Sequence, residues 1–461
     1  MKRVLLTSHK FFPEHRAGTE VLTLRTAQEL QRRGHEVLVL AANPPDQDAR
    51  ARVGQAQTNR YTYEGIPVVI IEEGLRLRNN DFYHEYDNPD LVPFFNDLLD
   101  EFKPDIVQIN HCQNLSATII DAAKSRKIPV ILYATDFWFI CPIVQLILPD
   151  GNVCRGPAPD ASNCATCYTP HLLPDSSQVA EALAARLPIA APLIRVAQPA
   201  LGAAYRELKK PSALAATKAR PAYLRQQANK LDKILVPTAL MRDLFVENGI
   251  DRDLIQVCHF GIDLEELVKH TRKTPSRNFR IGYIGTFYNH KGVDLLINAF
   301  NNLSPQSAQL ATLKLYGNQN QFPDYFIELQ KLAQGNANIQ FCGTFPNSDY
   351  GKIMQDLDIL VVPSRWYENT PLVMQSALAT RTPLIVTDLG GMSELVEHER
   401  NGLLFKLNDW HDLRDQLERV IGNRQFYEHL VSNIADERSV AAMVDDIESV
   451  YLETSQKQGQ D

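Results

Sequence analysis

Short apolar runs alternate with helix-length segments through the second half of the chain, from about residue 281 to residue 421. A regular alternation of strands and helices predicts a parallel sheet with helices on both of its faces. The predicted strands are Ile281–Ile284, Leu313–Tyr316, Ile339–Phe341, Ile359–Val362, Leu384–Val386 and Leu403–Phe405. The predicted helices are Val293–Asn302, Tyr325–Gln334, Asp349–Gln355, Leu372–Ala379 and His411–Ile421.

The first half of the chain shows the same alternation less regularly. Strands at Arg3–Thr7 and Val37–Ala41 flank a helix at Glu20–Arg33, and the three form a βαβ unit. Gly34 is predicted to end that helix as its C′ residue. Further strands are predicted at Val68–Ile71, Ile106–Ile109 and Val130–Tyr133, and further helices near Val92–Phe102 and Ala117–Ser125.

A chain of 461 residues is too long for a single hydrophobic core, so more than one domain is expected. The predicted fold class is α/β, with two Rossmann-like, doubly wound parallel-sheet domains that face each other across a cleft. The predicted parts are an N-terminal domain at 1–268, a linker at 269–278, a C-terminal domain at 279–425, a helical segment at 426–454 that returns toward the first domain, and a disordered tail at 455–461.

The composition argues against several classes of protein. A formal net charge of −8 is unlike that of a general nucleic-acid binder, so no nucleic-acid partner is expected. No window of 18 uncharged apolar residues predicts a membrane span, and the N-terminal apolar run is too short for a signal peptide. We therefore expect a cytoplasmic protein; the sequence indicates no particular oligomeric state.

Residues 172–232 form an insert rich in Ala, Leu and Arg, which we expect to be helical. The stretch Ile189–Val196 is apolar enough to rest on a membrane surface, which is one interpretation of the insert. The other interpretation is an intramolecular helical hairpin that covers the first domain. Five prolines are predicted to break the helices of the insert: Pro188, Pro192, Pro199, Pro211 and Pro221.

Four cysteines lie within a loop predicted at 141–170. Cys164 and Cys167 have the two-residue spacing of a zinc knuckle, and Cys141 and Cys154 precede them at longer intervals. A structural zinc ion would stabilise a loop that has little core of its own. Free or redox-labile thiols are the alternative.

A strand, a short loop and a helix between residues 359 and 379 give the strongest indication of a ligand site. Thr370 is predicted to be the N-cap of the helix and Pro371 its first residue. The helix then begins at the carboxyl edge of a parallel sheet, where its free N–H groups suit a phosphate. Glu368 would accept hydrogen bonds from hydroxyl groups at the mouth of this site. A sugar nucleotide has both kinds of group; a solvated Glu368 in an ordinary crossover is the alternative.

The loop Gly285–Gly292 follows the first strand of the second domain and opens a helix. Lys291 in this loop can place its ammonium group beside a diphosphate at the helix N-terminus. An exposed loop lysine without a ligand is the alternative interpretation.

These segments resemble the signatures of the family-four glycosyltransferases (glycosyltransferase group 1), which have the GT-B fold. The resemblance is most specific at Trp366-Tyr367-Glu368-Asn369 before Pro371, and Lys291-Gly292 is similar to the family's Lys-Gly loop. The resemblance covers nearly the whole chain, through His15–Glu20, Asp105–His111, Thr135–Pro142, Gly261–Asp263 and Asp388–Glu394.

The resemblance implies a retaining glycosyltransferase that needs no catalytic metal. The expected reaction moves a hexose-type sugar from a UDP- or GDP-sugar to a hydroxyl of a saccharide or lipid-linked acceptor, in polysaccharide biosynthesis, with peripheral contact at the inner face of the membrane. The expected catalytic residues are His111, Lys291 and Glu368, and Asp136 is expected to bind the acceptor. The expected donor-binding residues are Gly18, Lys291, Glu368, Asn369, Thr370, Pro371, Leu372 and Glu394.

The chain also departs from the family's pattern. Ser376 stands where the family has a second glutamate that binds ribose hydroxyls, and Thr286 stands where it usually has an arginine. Loss of one charge-assisted contact would weaken donor binding by about 1.5–3 kcal/mol. Arg365 is a candidate to replace the missing cation. The alternative function is a catalytically weakened GT-B protein that acts as a binding or partner subunit.

Overall fold

A computed structural model describes residues 1–42, 58–71, 82–173, 180, 183–184 and 187–458. Within these residues the chain folds around two separate sheets, one in each half. The two predicted α/β sheets are therefore present.

The first sheet has eight strands in the order β3-β4-β2-β1-β5-β6-β7-β8. All neighbouring strands are parallel except β3, which pairs antiparallel with β4 at the edge. The central strands β5 and β6 consist of buried residues on both faces, which is why they read as largely apolar runs. The strands are β1 (Arg3–Ser8), β2 (Glu36–Ala42), β3 (Thr58–Tyr63), β4 (Ile66–Ile71), β5 (Ile106–Ile109), β6 (Val130–Tyr133), β7 (Lys233–Val236) and β8 (Ile255–Val257).

Three strands of this sheet were not predicted. Strand β3 lies at the edge, and its polar, largely exposed residues give no apolar run. Strand β7 follows the helical insert directly, and β8 has only three residues. Such short or edge strands are recognised by their pairing rather than by their composition.

The helices of the first domain are α1 (Gly18–Arg32), α2 (Val92–Phe102), α3 (Thr118–Ser125), α4 (Ser162–Leu172), α5 (Ala191–Val196), α6 (Gln198–Ala228) and α7 (Ala239–Glu247). Gly34 follows α1 with φ of +89°, a backbone conformation that glycine adopts without strain, as predicted for the end of that helix.

The insert forms a longer helix than its prolines predict. Helix α6 continues through Pro211 and Pro221, so the prediction that these residues break the helix is wrong. Its C-terminal half packs on the first domain, where Ala213 and Leu224 are fully buried and a buried Arg220 lies 2.9 Å from a Glu85 oxygen. Tertiary packing on this face offsets the loss of the two proline N–H groups.

The second sheet has six parallel strands in the order β11-β10-β9-β12-β13-β14. Its strands are β9 (Phe279–Ile284), β10 (Ala311–Tyr316), β11 (Ile339–Gly343), β12 (Ile359–Val362), β13 (Leu384–Thr387) and β14 (Gly402–Phe405). The helices that follow the first domain are α8 (Val293–Asn301), α9 (Pro305–Leu310), α10 (Pro323–Ala333), α11 (Tyr350–Gln355), α12 (Leu372–Ala379), α13 (Gly391–Leu395), α14 (Trp410–Ile421), α15 (Arg424–Ser432) and α16 (Val440–Gln458).

In each sheet the strand order reverses at one place. Strands β2 and β5 lie on opposite sides of β1, and strands β10 and β12 lie on opposite sides of β9. The connections from such a pair of strands run in opposite directions and open a crevice at the carboxyl ends, where open α/β sheets bind ligands.

The last helix, α16, packs on the first domain. Tyr451 donates a hydrogen bond to Gln108 Oε1 at 2.6 Å, and Arg33 lies 2.6 Å from an Asp445 oxygen. The helix ends at Gln458, so the prediction of disorder is wrong for residues 455–458, which extend an amphipathic helix by one turn. Residues 459–461 lie outside the described residues.

None of the described helices is both long and apolar enough to cross a membrane.

The segment that leads into α16 contains a carboxyl group whose protonation should affect stability. Burial raises the pKa of Glu437 from its ordinary 4.5 to about 7, although Arg381 and Gln375 act in the opposite direction. Between these two pH values the folded protein holds a proton that the unfolded chain has released. The stability that this group contributes is therefore fully present below about pH 4.5 and is lost as the pH rises through about 7.

We expect Glu437→Gln to raise the free energy of unfolding by about 2 kcal/mol at pH near 8 and to leave it almost unchanged at pH near 4. Urea unfolding at the two pH values measures the difference. Glu453→Gln, at an exposed position of α16, is the matched control. An equal gain at both pH values would contradict the burial argument.

Candidate functional site

The loops after β9 and β12 bring a lysine and a carboxylate together. Lys291 Nζ lies 2.6 Å from Glu368 Oε1. The same oxygen accepts hydrogen bonds from Ser364 Oγ at 2.7 Å and from Trp366 Nε1 at 2.8 Å. The Lys291 ammonium group also lies 4.9 Å from the centre of the Trp366 ring. Both side chains are therefore held in one position by several contacts.

The Glu368 carboxylate is buried and charged. Burial alone would raise the pKa of Glu368, but the charge of Lys291 and three hydrogen bonds hold that pKa below its ordinary value. Burial and, to a smaller extent, the charge of Lys291 lower the pKa of the neighbouring His290 to about 4. At neutral pH this edge of the sheet thus carries one ammonium group, one carboxylate and a neutral imidazole.

Two glycines permit the close approach of these loops. Gly292 has φ of +67°, and a Cβ at this position would lie 2.0 Å from the carbonyl oxygen of Pro363. A Cβ at Gly391 would lie 1.9 Å from the carbonyl oxygen of Asn369. Larger residues would push the loops apart and separate Lys291 from Glu368.

Helix α12 begins at Leu372, as predicted, but its N-cap is Pro371, so the prediction that Thr370 caps the helix is wrong. Proline can occupy the N-cap because that position needs no N–H; its carbonyl accepts the hydrogen bond of Met374 N. No side chain caps this helix. Its first N–H groups therefore remain available to a ligand.

The loops after β5 and β6 hold a second hydrogen-bonded pair. His111 Nε2 lies 2.5 Å from Asp136 Oδ2, and His111 Nδ1 accepts a hydrogen bond from Gln113 N at 2.9 Å. Because Nδ1 is an acceptor, the hydrogen-bond network assigns the proton to Nε2, which donates it toward Asp136. The backbone N–H of Trp138 donates to the other Asp136 oxygen at 2.9 Å.

His9 and Glu20 join this pair, although the sequence analysis did not select them. The His9 ring lies 4.4 Å from the His111 ring, and His9 Nε2 lies 3.5 Å from Glu20 Oε1. Burial lowers the pKa of His9 and raises the pKa of Glu20. The available signal is the position of His9, directly after the carboxyl end of the first strand.

The two groups lie on opposite sides of one interdomain cleft. Asn369 Nδ2 donates a hydrogen bond to the carbonyl oxygen of Thr135 at 2.8 Å. Asn369 follows Glu368 in the chain, and Thr135 precedes Asp136. This single contact therefore brings the Lys291–Glu368 pair and the His111–Asp136 pair to the same site.

Several buried polar atoms around the cleft have no hydrogen-bond partner in the described part of the chain: Ser8 Oγ, His9 Nδ1, Glu20 Oε2 and Asn369 Oδ1. Buried polar groups of native proteins are nearly always paired. Hydroxyl groups of a bound ligand, or ordered water, would pair with these four atoms.

The guanidinium group of Arg365 makes hydrogen bonds of 2.7 and 2.6 Å to the two carboxylate oxygens of Asp294. A role of Arg365 as the missing cation would compete with this ion pair and stays a prediction. Ser376 Oγ donates to the carbonyl oxygen of Leu372 in its own helix at 2.8 Å.

Two other residues that were expected to bind the donor are Glu394 and Gly18. Both carboxylate oxygens of Glu394 accept backbone N–H groups at the start of α7, from Ala239 and Leu240, each at 2.8 Å. Glu394 thus joins the two domains, because a helix N-terminus attracts a carboxylate. A Cβ at Gly18 would meet no atom of the described residues within 4 Å, so none of those residues requires glycine there.

The four cysteines of the loop 141–170 line one small cavity. All four are free thiols, and Cys154 Sγ lies 3.2 Å from the carbonyl oxygen of Gly156. In the part of the chain that the structure describes, no group of three or more His, Cys, Asp or Glu side chains is arranged to hold a metal ion. The side-chain positions therefore do not support the predicted zinc at Cys141, Cys154, Cys164 and Cys167.

Comparison with known proteins agrees with the two-domain architecture. The model of the glycosyl transferases group 1 family matches residues 266–437, and the model of glycosyltransferase family 4 matches residues 16–148. The chain belongs to the group 1, family-four glycosyltransferases. The resemblance inferred from its motifs is confirmed.

Curated relatives match this chain over part of their length. An uncharacterized glycosyltransferase of Methanocaldococcus jannaschii is 28% identical over 202 residues, which are 44% of this chain and 53% of the relative. A D-inositol 3-phosphate glycosyltransferase of Nocardia farcinica is 27% identical over 206 residues, which are 42% of this chain and 46% of the relative. The chain thus spans about half the length of these curated relatives.

A solved structure shows the fold. The crystal structure of Anabaena HepE in complex with UDP and glucose has a TM-score of 0.62 and 16% sequence identity, covering 98% of this chain and 100% of that chain. The predicted GT-B fold, with two Rossmann-like domains, is confirmed.

Proposed function

We propose that this group 1 glycosyltransferase moves a hexose-type sugar from a nucleoside diphosphate to a hydroxyl of a saccharide or lipid-linked acceptor, with retention of configuration. The observation that carries this proposal is the Lys291–Glu368 pair, which lies opposite the His111–Asp136 pair across the cleft closed by the Asn369–Thr135 hydrogen bond. Family membership supports a nucleotide-sugar donor, and so does the HepE crystal structure, which is a complex with UDP and glucose.

In this proposal Lys291 contacts the departing diphosphate. Lys291 follows β9, where the strand order of the second sheet reverses, and it contacts Glu368 in the loop that leads into α12. A diphosphate in this crevice gains negative charge as the sugar leaves, and a fixed cation and helix N–H groups stabilise that charge.

Glu368 is suited to hold the sugar. Three hydrogen-bond donors converge on its Oε1, so Oε2 remains to accept a hydroxyl of the hexose. The carboxylate is ionised by the contacts described above, and hydrogen bonds to an ionised acceptor are about twice as strong as those between neutral groups.

The first domain supplies the other face of the site. His111 and Asp136 are fixed by their mutual hydrogen bond, and the unpaired atoms of His9 and Glu20 lie in the same group. In the proposed reaction, the acceptor oxygen bonds to the anomeric carbon on the face from which the diphosphate leaves. The hydroxyl proton passes to a phosphate oxygen, so the protein contributes positioning and electrostatic stabilisation.

One observation favours the alternative, a binding or partner subunit with weak catalysis. Lys291 is paired with Glu368, Arg365 is bound to Asp294, and Ser376 bonds to its own helix. A donor would thus have to compete with these ion pairs, and it would find no glutamate at the Ser376 position to bind its ribose.

Donor titration by calorimetry, together with assays of sugar transfer, distinguishes the two functions. We expect heat and turnover with a UDP- or GDP-sugar, and Ser376→Glu should tighten donor binding by about tenfold because it adds a charge-assisted hydrogen bond. Ser376→Gln, which has the same length without the charge, is the matched control. Binding without turnover would support the partner subunit, and no heat with any UDP-, GDP- or dTDP-sugar would overturn the enzymatic proposal.

Three expectations remain predictions. These are the cytoplasmic location, the role in polysaccharide biosynthesis, and the structural zinc, whose four candidate ligands share one cavity without forming a metal site.

A further inference from the structure

The N-terminal part of the insert exposes apolar side chains that pack on nothing in the described part of the chain. Twelve large hydrophobic residues are exposed among the described residues, and five of them lie between residues 187 and 208: Leu187, Ile189, Leu193, Val196 and Leu208. Helix α5 has no buried residue. An apolar helix that packs on none of the described residues can offer its face to an external partner.

Three of these residues share one helical face. Ile189, Leu193 and Val196 follow the spacing i, i+4, i+7, and their side chains are 99%, 75% and 83% exposed. Residue 189 lies in a short 3₁₀ turn that leads into α5. The result is a compact apolar ridge on the surface.

The ridge is followed by a basic segment. Between residues 187 and 218 the basic side chains are Arg195, Arg206, Lys209, Lys210 and Lys218, and the acidic side chain is Glu207. The whole chain has a formal net charge of −8, so this segment contrasts in sign with the rest of the protein. An apolar ridge beside a cluster of basic residues matches the chemistry of an anionic lipid surface.

We propose that residues 187–218 dock the protein on an anionic lipid bilayer, with the apolar ridge inserted and the basic side chains at the headgroups. A second copy of the chain is a poorer occupant, because pairing two of these segments would bring like charges together.

Helix α6 continues from the docking segment to the candidate site. In the buried half of α6, Arg220 donates hydrogen bonds to Glu85 Oε2 and to the carbonyl oxygen of Trp138, both at 2.9 Å. The N–H of Trp138 in turn binds Asp136, the expected acceptor residue. Docking would therefore hold the acceptor side of the cleft near the membrane, but lipid binding does not depend on the proposed transfer reaction.

Co-sedimentation of the full chain with phosphatidylglycerol or phosphatidylcholine vesicles tests the proposal. We expect tight, salt-sensitive binding to phosphatidylglycerol and weak binding to phosphatidylcholine. The combined change Ile189→Glu, Leu193→Glu and Val196→Glu should lower binding by about tenfold or more, and so should Lys209→Glu with Lys210→Glu. Leu452→Glu, at a 58% exposed position of α16, is the matched control and should bind as the wild type does.

The following outcomes would overturn the proposal. Absence of binding to phosphatidylglycerol, or equal binding by the wild type and the triple variant, would exclude a bilayer docking surface. A dimer in light scattering that the triple change dissociates, while vesicle binding stays the same, would assign the ridge to a second copy. Circular dichroism confirms that the variants fold, and donor calorimetry on them keeps failure of docking separate from failure of the proposed function.

Discussion

Replacing Lys291 with alanine should lower kcat/KM for the nucleotide-sugar donor by about 10²–10³-fold, which is the usual cost of removing one group that stabilises developing charge. Arg365 is not expected to compensate, because both terminal nitrogens of its guanidinium group donate hydrogen bonds to Asp294. The change also leaves the Glu368 carboxylate buried without its counter-ion. We therefore expect the free energy of unfolding to fall by about 3 kcal/mol, as measured by urea unfolding beside the kinetic assay.

Two comparison variants separate these effects. Lys352→Ala removes a lysine of the same domain whose side chain is 67% exposed, and it should leave both quantities near wild type. Lys291→Met combined with Glu368→Gln removes both charges, so it should recover most of the stability and none of the activity. Wild-type turnover in Lys291→Ala would rule out its proposed contact with the diphosphate.

Replacing Gly292 with alanine should have a comparably large effect through the backbone. The positive φ of Gly292 is strained for alanine, and the added Cβ would lie 2.0 Å from a backbone oxygen of Pro363. The loop must move to relieve this clash, which separates Lys291 from Glu368. We expect a loss of about 3 kcal/mol in the free energy of unfolding and a fall in kcat/KM of about 10²-fold.

Gly335→Ala is the matched control for this change. Gly335 has φ of +85°, but a Cβ there would meet no atom within 4 Å. The control therefore imposes the backbone strain without the clash. It should lower the free energy of unfolding by about 1 kcal/mol and leave turnover unchanged. Equal effects of the two substitutions would show that strain alone, rather than loop position, accounts for the loss.

Many elements of the fold could be predicted from local pattern. Strands β5, β6 and β12 begin and end where their apolar runs do, because residues buried on both faces leave a continuous signal. The edge strand β3 gave no such signal, and the prolines of α6 pointed away from the helix that tertiary packing stabilises.

Some residues of the candidate site could be predicted from the sequence, and others could not. Lys291, Glu368 and His111 could be selected because each follows a predicted strand of a recognisable motif. His9 and Glu20 could not be selected from the sequence. They are distinguished by the contact of His9 with His111 and with Glu20, and by buried polar atoms without a hydrogen-bond partner among the described residues. The contact of Glu394 with α7 and the pairing of Arg365 with Asp294 likewise join segments that are remote from each other in the chain.

The sequence by itself determined two parallel α/β domains, the family and the side chains at the carboxyl ends of the strands, because hydrophobic periodicity and short motifs are local properties. Only the tertiary structure decided which of those side chains meet, which cations are already paired and which apolar helix lacks a partner. Those facts depend on distances between residues far apart in the chain, which no local pattern encodes.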